Sequence, residues 1–318
     1  MNLAYAHGLS PEGMVGAHDA LTEAAHAWAG PHVSLLTDWS FDPTFLVPLL
    51  LAVLYFKGYV RYRRRGGRRF PAWRAVLFAL GVAVVGIALM SPIDMLADYS
   101  FTFHMVQHDL LMLVAAPLIL LGAPFIPVIR GLPMGLRRRW FVPAARRGPL
   151  RVAAKFLTRP LVALVLFEAT VVAWHLPGLY NAALFNNAVH YGMHFSFIAT
   201  AILFWWHIVT PYPFPSRLHY FLRMAMLVAS AIVNSFLAAL IAFSGTVLYG
   251  YGARHGFWGL SPIDDQSIGG VLMWVMGDML RLGAITVLFA VYVARENAKE
   301  PHARQAAQVA RTKLAHTT

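Results

Sequence analysis

Residues 101–122 run Phe101-Thr-Phe-His104-Met105-Val-Gln107-His108-Asp109-Leu-Leu-Met112-Leu-Val-Ala-Ala116-Pro117-Leu-Ile-Leu-Leu121-Gly122. A single formal charge, Asp109, interrupts this apolar stretch. At about 1.5 Å per residue, such a helix is roughly 33 Å long, enough to cross about 30 Å of hydrocarbon. Six more apolar runs of similar character lie near 44–62, 71–90, 160–175, 188–209, 219–243 and 269–294. The pattern predicts an all-α fold, a polytopic membrane bundle of seven transmembrane helices. One transmembrane domain covers 44–294, between a polar segment over 1–43 and a polar tail over 295–318. The tail is expected to be a frayed helix.

Composition agrees with lipid as the solvent. The chain has 318 residues, 58% of them apolar and only 13% charged, about half the charged fraction of a soluble domain. The formal net charge is +12, which in a soluble protein would suggest nucleic acid. Here the charge sits between the apolar runs, so it points to the membrane surface and no nucleic-acid partner is expected. Lys and Arg number eight in 57–74, nine in 130–159, two in 217–223 and five in 295–313, or 24 of the 26. These segments share one side if every run spans. Nine of the 14 acids lie in 1–43, 91–100 or 254–268, on the other side. The positive-inside rule then predicts N-out and C-in, with 1–43 extracytoplasmic and 295–318 cytoplasmic. Arg61 to Arg69 and Arg137 to Arg147 are expected to set topology and meet lipid headgroups. No short apolar h-region precedes the first run. Ala4-Tyr-Ala-His7 resembles the flank of a cleavage site, which leaves open a start upstream of Met1.

The chain has no cysteine. Disulfides, thiolate metal sites and covalent c-type haem attachment are therefore excluded. A soft-metal site would have to be built from the 14 His and 13 Met. His104, His108 and Met112 are spaced i, i+4, i+8, on one face of a helix, with Met105 and Asp109 beside them. The run near 188–209 opens with a second pair at the same spacing, His190 and His194. The last run carries Met273, Met276 and Asp278, then Arg281, and the fourth ends at Trp174-His175. Depth makes these a set. His104 and His108 fall roughly 5–10 Å below the outer surface, His190 and His194 roughly 3–9 Å, and Met273 to Asp278 roughly 6–14 Å.

A lone His near a helix end is usually interfacial, and a lone Met usually fills a packing gap. Two pairs at matching depth, with an intramembrane Asp, point instead to a site. Imidazole with thioether suits Cu(I), while imidazole and carboxylate also tolerate Cu(II) or Zn(II). Haem competes, but His104 and His108 share one helix face and cannot both be its trans axial ligands. A proton or solute path through Asp109, Glu168, Asp278 and Arg281 is the third reading, although Asp278 and Arg281 at i, i+3 could simply neutralise each other. Ser91-Pro-Ile-Asp94 and Ser261-Pro-Ile-Asp264 repeat a helix start, with Ser as N-cap and Pro at the first helical position.

Several motifs together resemble a known family. They are Ser91-Pro-Ile-Asp94, His104-Met-Val-Gln-His108, His175-Leu-Pro177 with Tyr180-Asn-Ala-Ala-Leu184, and His190-Tyr-Gly-Met-His194. Phe204-Trp-Trp-His207, Asp265-Gln266, Gly269-Gly270 and Met273-Trp274 complete the pattern. Over about 44–294 the chain is similar to the multi-spanning CtaG-type cytochrome c oxidase assembly proteins of bacteria, which are distinct from single-span copper chaperones of the same name. The resemblance implies a plasma-membrane protein that matures a haem-copper oxidase, with the oxidase subunits as partners and copper as cargo. It implies binding and delivery rather than enzymatic catalysis. The candidate metal ligands are His104, His108, His175, His190, His194, Met105, Met112, Met273, Met276 and Asp278.

Overall fold

The computed structural model describes residues 38–64, 70–141, 143, 148–214, 218–253 and 259–315. Most of the polar 1–43 segment, with Ala4 to His7, and the basic stretches at 65–69 and 144–147 lie outside the described residues. Every regular element among the described residues is helical.

Helix α1 covers Leu46–Arg64 and α2 covers Ala72–Met90. A short α3, Pro92–Ala97, precedes α4, Phe101–Leu121. Then come α5 (Phe125–Gly131), α6 (Gly148–Leu157), α7 (Pro160–Trp174), α8 (Pro177–Phe185), α9 (Asn187–Val209), α10 (Tyr220–Ala242) and α11 (Pro262–Ala315). Six helices, α1, α2, α4, α9, α10 and α11, are long and apolar enough to cross a membrane. The chain is a multi-pass membrane protein, and these helices coincide with six of the seven apolar runs.

The fourth run behaves differently. Helix α7 has 15 residues, about 22 Å at the helical rise. It reaches spanning length only together with Arg151–Leu157, from which it is bent by 72°. The bend falls at Arg159-Pro160, where Arg159 is extended at ψ 137°. Proline disfavours helical geometry in the residue before it and brings no N–H of its own. At the other end of the chain, the tail expected to fray continues α11 as helix to Ala315.

Both Ser-Pro-Ile-Asp motifs are helix starts. Ser91 Oγ accepts from Ile93 N at 3.2 Å, and Ser261 Oγ accepts from Asp264 N at 3.2 Å. Helix α4 is capped from a distance. Asp265 on α11 accepts from Ser100 Oγ (2.8 Å), Phe101 N (2.7 Å) and Thr102 N (3.3 Å). These are donors that a helix start leaves without an internal partner, so Asp265 fixes where the His104 helix begins. Between Leu110 and Ala115 the helix widens to π geometry, which breaks the simple i, i+8 face assumed for Met112.

The main core joins α4, α7, α9, α10 and α11 through Phe101, Met105, Phe167, Phe197, Leu227 and Met273, all buried. Helix α1 packs on α5 at two glycines. A Cβ on Gly58 would collide with the Pro127 carbonyl, and one on Gly131 with that of Leu54.

Candidate metal centre

Five imidazoles gather at the end of the bundle where α4 and α9 begin and α7 ends. His104, His190 and His194 each offer a ring nitrogen, and these nitrogens lie within 4.8 Å of one another. His190 Nε2 and His194 Nε2 are 3.0 Å apart. Two imidazole ligands at about 2.0 Å from a tetrahedral ion would stand about 3.3 Å apart, so this pair needs little movement to share one. The His104 and His190 rings stack with centroids 5.4 Å apart.

His104 is held by a tyrosine relay. The Tyr251 hydroxyl lies 2.8 Å from His104 Nδ1, 2.8 Å from the Tyr180 hydroxyl and 3.0 Å from the Ala97 carbonyl. Nε2 of His104 is buried and has no hydrogen-bond partner. Supporting bonds of this kind orient metal-binding histidines. Burial pushes the Tyr180 and Tyr249 phenols above their ordinary pKa, which keeps both protonated.

His108 lies between the others. Its ring centroid is 4.4 Å from that of His104, 5.9 Å from His194 and 6.3 Å from His175. Both of its ring nitrogens are buried without a hydrogen bond. His175 donates from Nδ1 to the Val171 carbonyl at 2.7 Å and presents Nε2 to the Met105 sulfur at 3.4 Å. Tyr249 holds the His175 carbonyl at 2.9 Å. The centre therefore combines three close imidazoles, a fourth beside them, and an imidazole–thioether pair.

Two carboxylates stand at its edge. Asp42 Oδ2 is 3.7 Å from His194 Nδ1. Burial raises the Asp42 carboxyl, but the His194 ring and bonds from Thr44 N and Oγ1 (2.7 Å each) outweigh it and hold Asp42 below the usual carboxylate range. Asp94 accepts from Gln107 Nε2 at 2.7 Å and Ser40 Oγ at 3.0 Å. Burial dominates there, and Asp94 stands above its ordinary value.

Not all of the expected ligands meet here. Met112 is buried in the core, with its carbonyl accepting from Trp205 Nε1 at 2.9 Å. Met273 is also buried in the core, and its carbonyl accepts from Asn234 Nδ2 at 3.2 Å. Met276 is half-buried on the same helix. Asp278 belongs to a second polar cluster. It accepts from Ser235 Oγ at 2.5 Å and pairs with Arg281 at 3.8 Å, as its i, i+3 spacing allows. Arg281, 2% exposed, donates from Nε to Ser230 Oγ at 2.9 Å, and the buried acids Asp109 and Glu168 lie within its electrostatic reach.

Sequence reasoning missed Tyr251, Tyr180, Asp42 and Asp94 as parts of the centre. For the two acids a signal existed, since acids concentrate in the segments flanking this end. For the tyrosines nothing local marks them: Tyr251 lies 147 residues from His104.

The fold and the site define a polytopic helical membrane protein with a buried histidine centre. Residues 53–295 match the family described as cytochrome c oxidase caa3 assembly factor (Caa3_CtaG), and the chain belongs to that family. It is 28% identical over 269 residues to "Uncharacterized protein Mb0105" of Mycobacterium bovis, a match covering 82% of this chain and 40% of that protein. The Mycobacterium leprae "Uncharacterized protein ML1998" is 24% identical over 274 residues, covering 83% of this chain and 41% of its own length. The chain thus spans about two fifths of the length of the curated relatives it matches. No solved structure matches it.

Proposed function

We propose that this protein holds copper, as Cu(I), in its histidine centre and passes it to subunits of a haem-copper oxidase during maturation. The observation that carries this reading is the convergence of His104, His190 and His194 within 4.8 Å. Imidazole and thioether donors suit Cu(I), and the His175–Met105 pair offers a second, softer position next to the first. The family description supplies the oxidase. The charge asymmetry between connections supports an outer-side location of the centre in a bacterial plasma membrane. A donor within the bilayer can present a metal at the depth of an oxidase centre buried among helices. The role is binding and delivery, not catalysis.

A bis-imidazole haem would need two imidazoles meeting its iron end-on from opposite faces, and the side-by-side stack of His104 and His190 does not supply that. A transport path through Glu168, Asp109 and Asp278 would have to pass Arg281, which lies within electrostatic reach of all three.

Metal analysis of the purified protein with and without reductant, beside the metal content of the oxidase from a deletion strain, tests the proposal. The expected result is bound copper retained under reductant, and an oxidase that is present but copper-poor in the deletion strain. Full oxidase copper in that strain would overturn it, and a haem-poor, copper-replete oxidase would replace it with the haem reading.

A further inference from the structure

Above His190 a cavity of about 200 Å³ opens to the surface. Its walls come from three places: Asp42 before α1, Asp94 and Asp98 on and after α3, and Asn187, His190 and Tyr191 on α9. Three carboxylates therefore face one small volume. Among the described residues, none of the lining side chains is Lys or Arg.

The cavity leads to the buried histidines. His190 is both a wall residue and the partner of His194, with their Nε2 atoms 3.0 Å apart. His194 is fully buried, and its Nδ1 makes no hydrogen bond but faces the wall carboxylate of Asp42 at 3.7 Å. The walls are also anchored. Ser40 donates from its backbone N to the Met90 carbonyl at 3.0 Å and from Oγ to Asp94 at 3.0 Å. These bonds tie the segment before α1 to the start of α3.

We infer that this cavity is the mouth through which a metal cation enters and leaves the histidine centre. The inference rests on the metal reading given above and adds the path and the device that works it. The volume lies below the roughly 300–1,000 Å³ of organic-ligand sites but admits an ion with part of its hydration shell. Convergent carboxylates between low-dielectric walls focus the field and raise the local concentration of cations, typically increasing on-rates by about 10–1,000-fold. Asp42, Asp94 and Asp98 offer oxygen atoms to a passing ion, and His190 offers the first nitrogen. The ion then exchanges water and oxygen for imidazole without any redox step.

Asp98 is the exposed wall acid, so it can be changed with least effect on packing. Uptake of Ag(I), a stable stand-in for Cu(I), is measured by rapid mixing with the full chain in nonionic detergent. At low ionic strength, where the Debye length is about 30 Å, Asp98→Lys should slow uptake about tenfold or more. Asp98→Asn should slow it less. At 1 M salt, where screening acts within about 3 Å, the three proteins should converge. Equilibrium affinity for Ag(I) should remain that of the wild type. Equal uptake rates for wild type and Asp98→Lys at low salt would overturn the mouth and leave the metal reading standing. A loss of affinity matching the loss of rate would also overturn it, by making Asp98 part of the binding site. A wild-type chain that takes up no Ag(I) would defeat both. Helix content by circular dichroism, with Asp98→Asn as the milder variant, separates these outcomes from misfolding.

Discussion

Arg281 carries its countercharges with it. Inside the bundle its guanidinium meets Ser230 Oγ at 2.9 Å and Asp278 at 3.8 Å, with Asp109 and Glu168 on neighbouring helices. Among the described residues, the five imidazoles at the bundle end have no such internal cation; several of their nitrogens are buried without a partner, as are Asp109 Oδ2, both Glu168 oxygens and Arg281 Nη1 in the first cluster. An unsatisfied buried polar atom costs about 1–3 kcal/mol. In the first cluster acids and a base share one enclosure and bear on each other, which suits a scaffold. In the second only like groups meet, and their free ring nitrogens are what the proposed metal role requires. Both lie on helix α4, where His108 and Asp109 are sequence neighbours and face different clusters. The start of the π-helical stretch at Leu110 falls at that parting, and such widened turns recur at functional sites.

The strongest test removes the receptor. The double variant His104→Ala/His194→Ala should lose far more metal affinity than the roughly 10–100-fold expected from losing one supporting hydrogen bond. His219→Ala, at an exposed position, should leave affinity unchanged. Competition titration against a Cu(I) chelator makes the measurement. Retained affinity in the double variant would mean that the centre is elsewhere.

The converse variant is Arg281→Leu. Removing one partner of a buried charge group typically costs about 3–5 kcal/mol, and here Asp278 loses its ion pair and Ser230 Oγ its donor. Unfolding in a denaturing detergent should show that loss, while the folded fraction still binds metal with wild-type stoichiometry. Loss of metal binding at wild-type stability would break the comparison, because the two clusters would then act as one.

Between these lies Tyr251→Phe. The ring remains and only the hydroxyl goes, so packing changes little. His104 Nδ1 loses its partner at 2.8 Å, and the ring is no longer held in its orientation toward His190. Metal affinity should fall about 10–100-fold, with fold and stoichiometry retained. An unchanged affinity would show that His104 needs no orientation from the tyrosine.

Much of this was legible in the sequence because it is local. Hydrocarbon thickness sets the length of a crossing, so the apolar runs located the helices, although the last one extends beyond its run at both ends, to Pro262 and Ala315. The i, i+4 pairs gave two faces, and the shared depth brought His104, His108, His190 and His194 together. What depends on contacts across the chain was not legible. Tyr251 reaches His104 from a single 3-10 turn, Gly250–Ala253, too short to carry a period. Asp265 caps α4 from 164 residues away, and its role cannot be seen from its neighbours. The fourth run hides its bend because hydropathy does not register direction, although Arg159-Pro160 marked the place. Depth alone also grouped too much. Met273, Met276 and Asp278 were placed with the histidines, yet the rotation of α11 turns Asp278 toward Asn234, Ser235 and Arg281.

Asp278 therefore gives the smallest and most discriminating effect. Depth made it a ligand, whereas its contacts make it a member of the Arg281 cluster. Its side chain is 23% exposed, and its ion pair is at 3.8 Å, a geometry for which partial hydration keeps the contribution near about 0–1 kcal/mol. Asn in its place keeps the size and can still accept from Ser235 through its carbonyl oxygen. Arg281 would retain Ser230, Glu168 and Asp109. The expected result of Asp278→Asn is a stability loss below about 1 kcal/mol and a metal affinity equal to that of the wild type. The same denaturing-detergent and competition titrations measure both. If Asp278→Asn weakens metal binding as severely as His104→Ala/His194→Ala, the carboxylate reaches the ion after all. The separation of scaffold from receptor would then give way to one continuous site along α4 and α11.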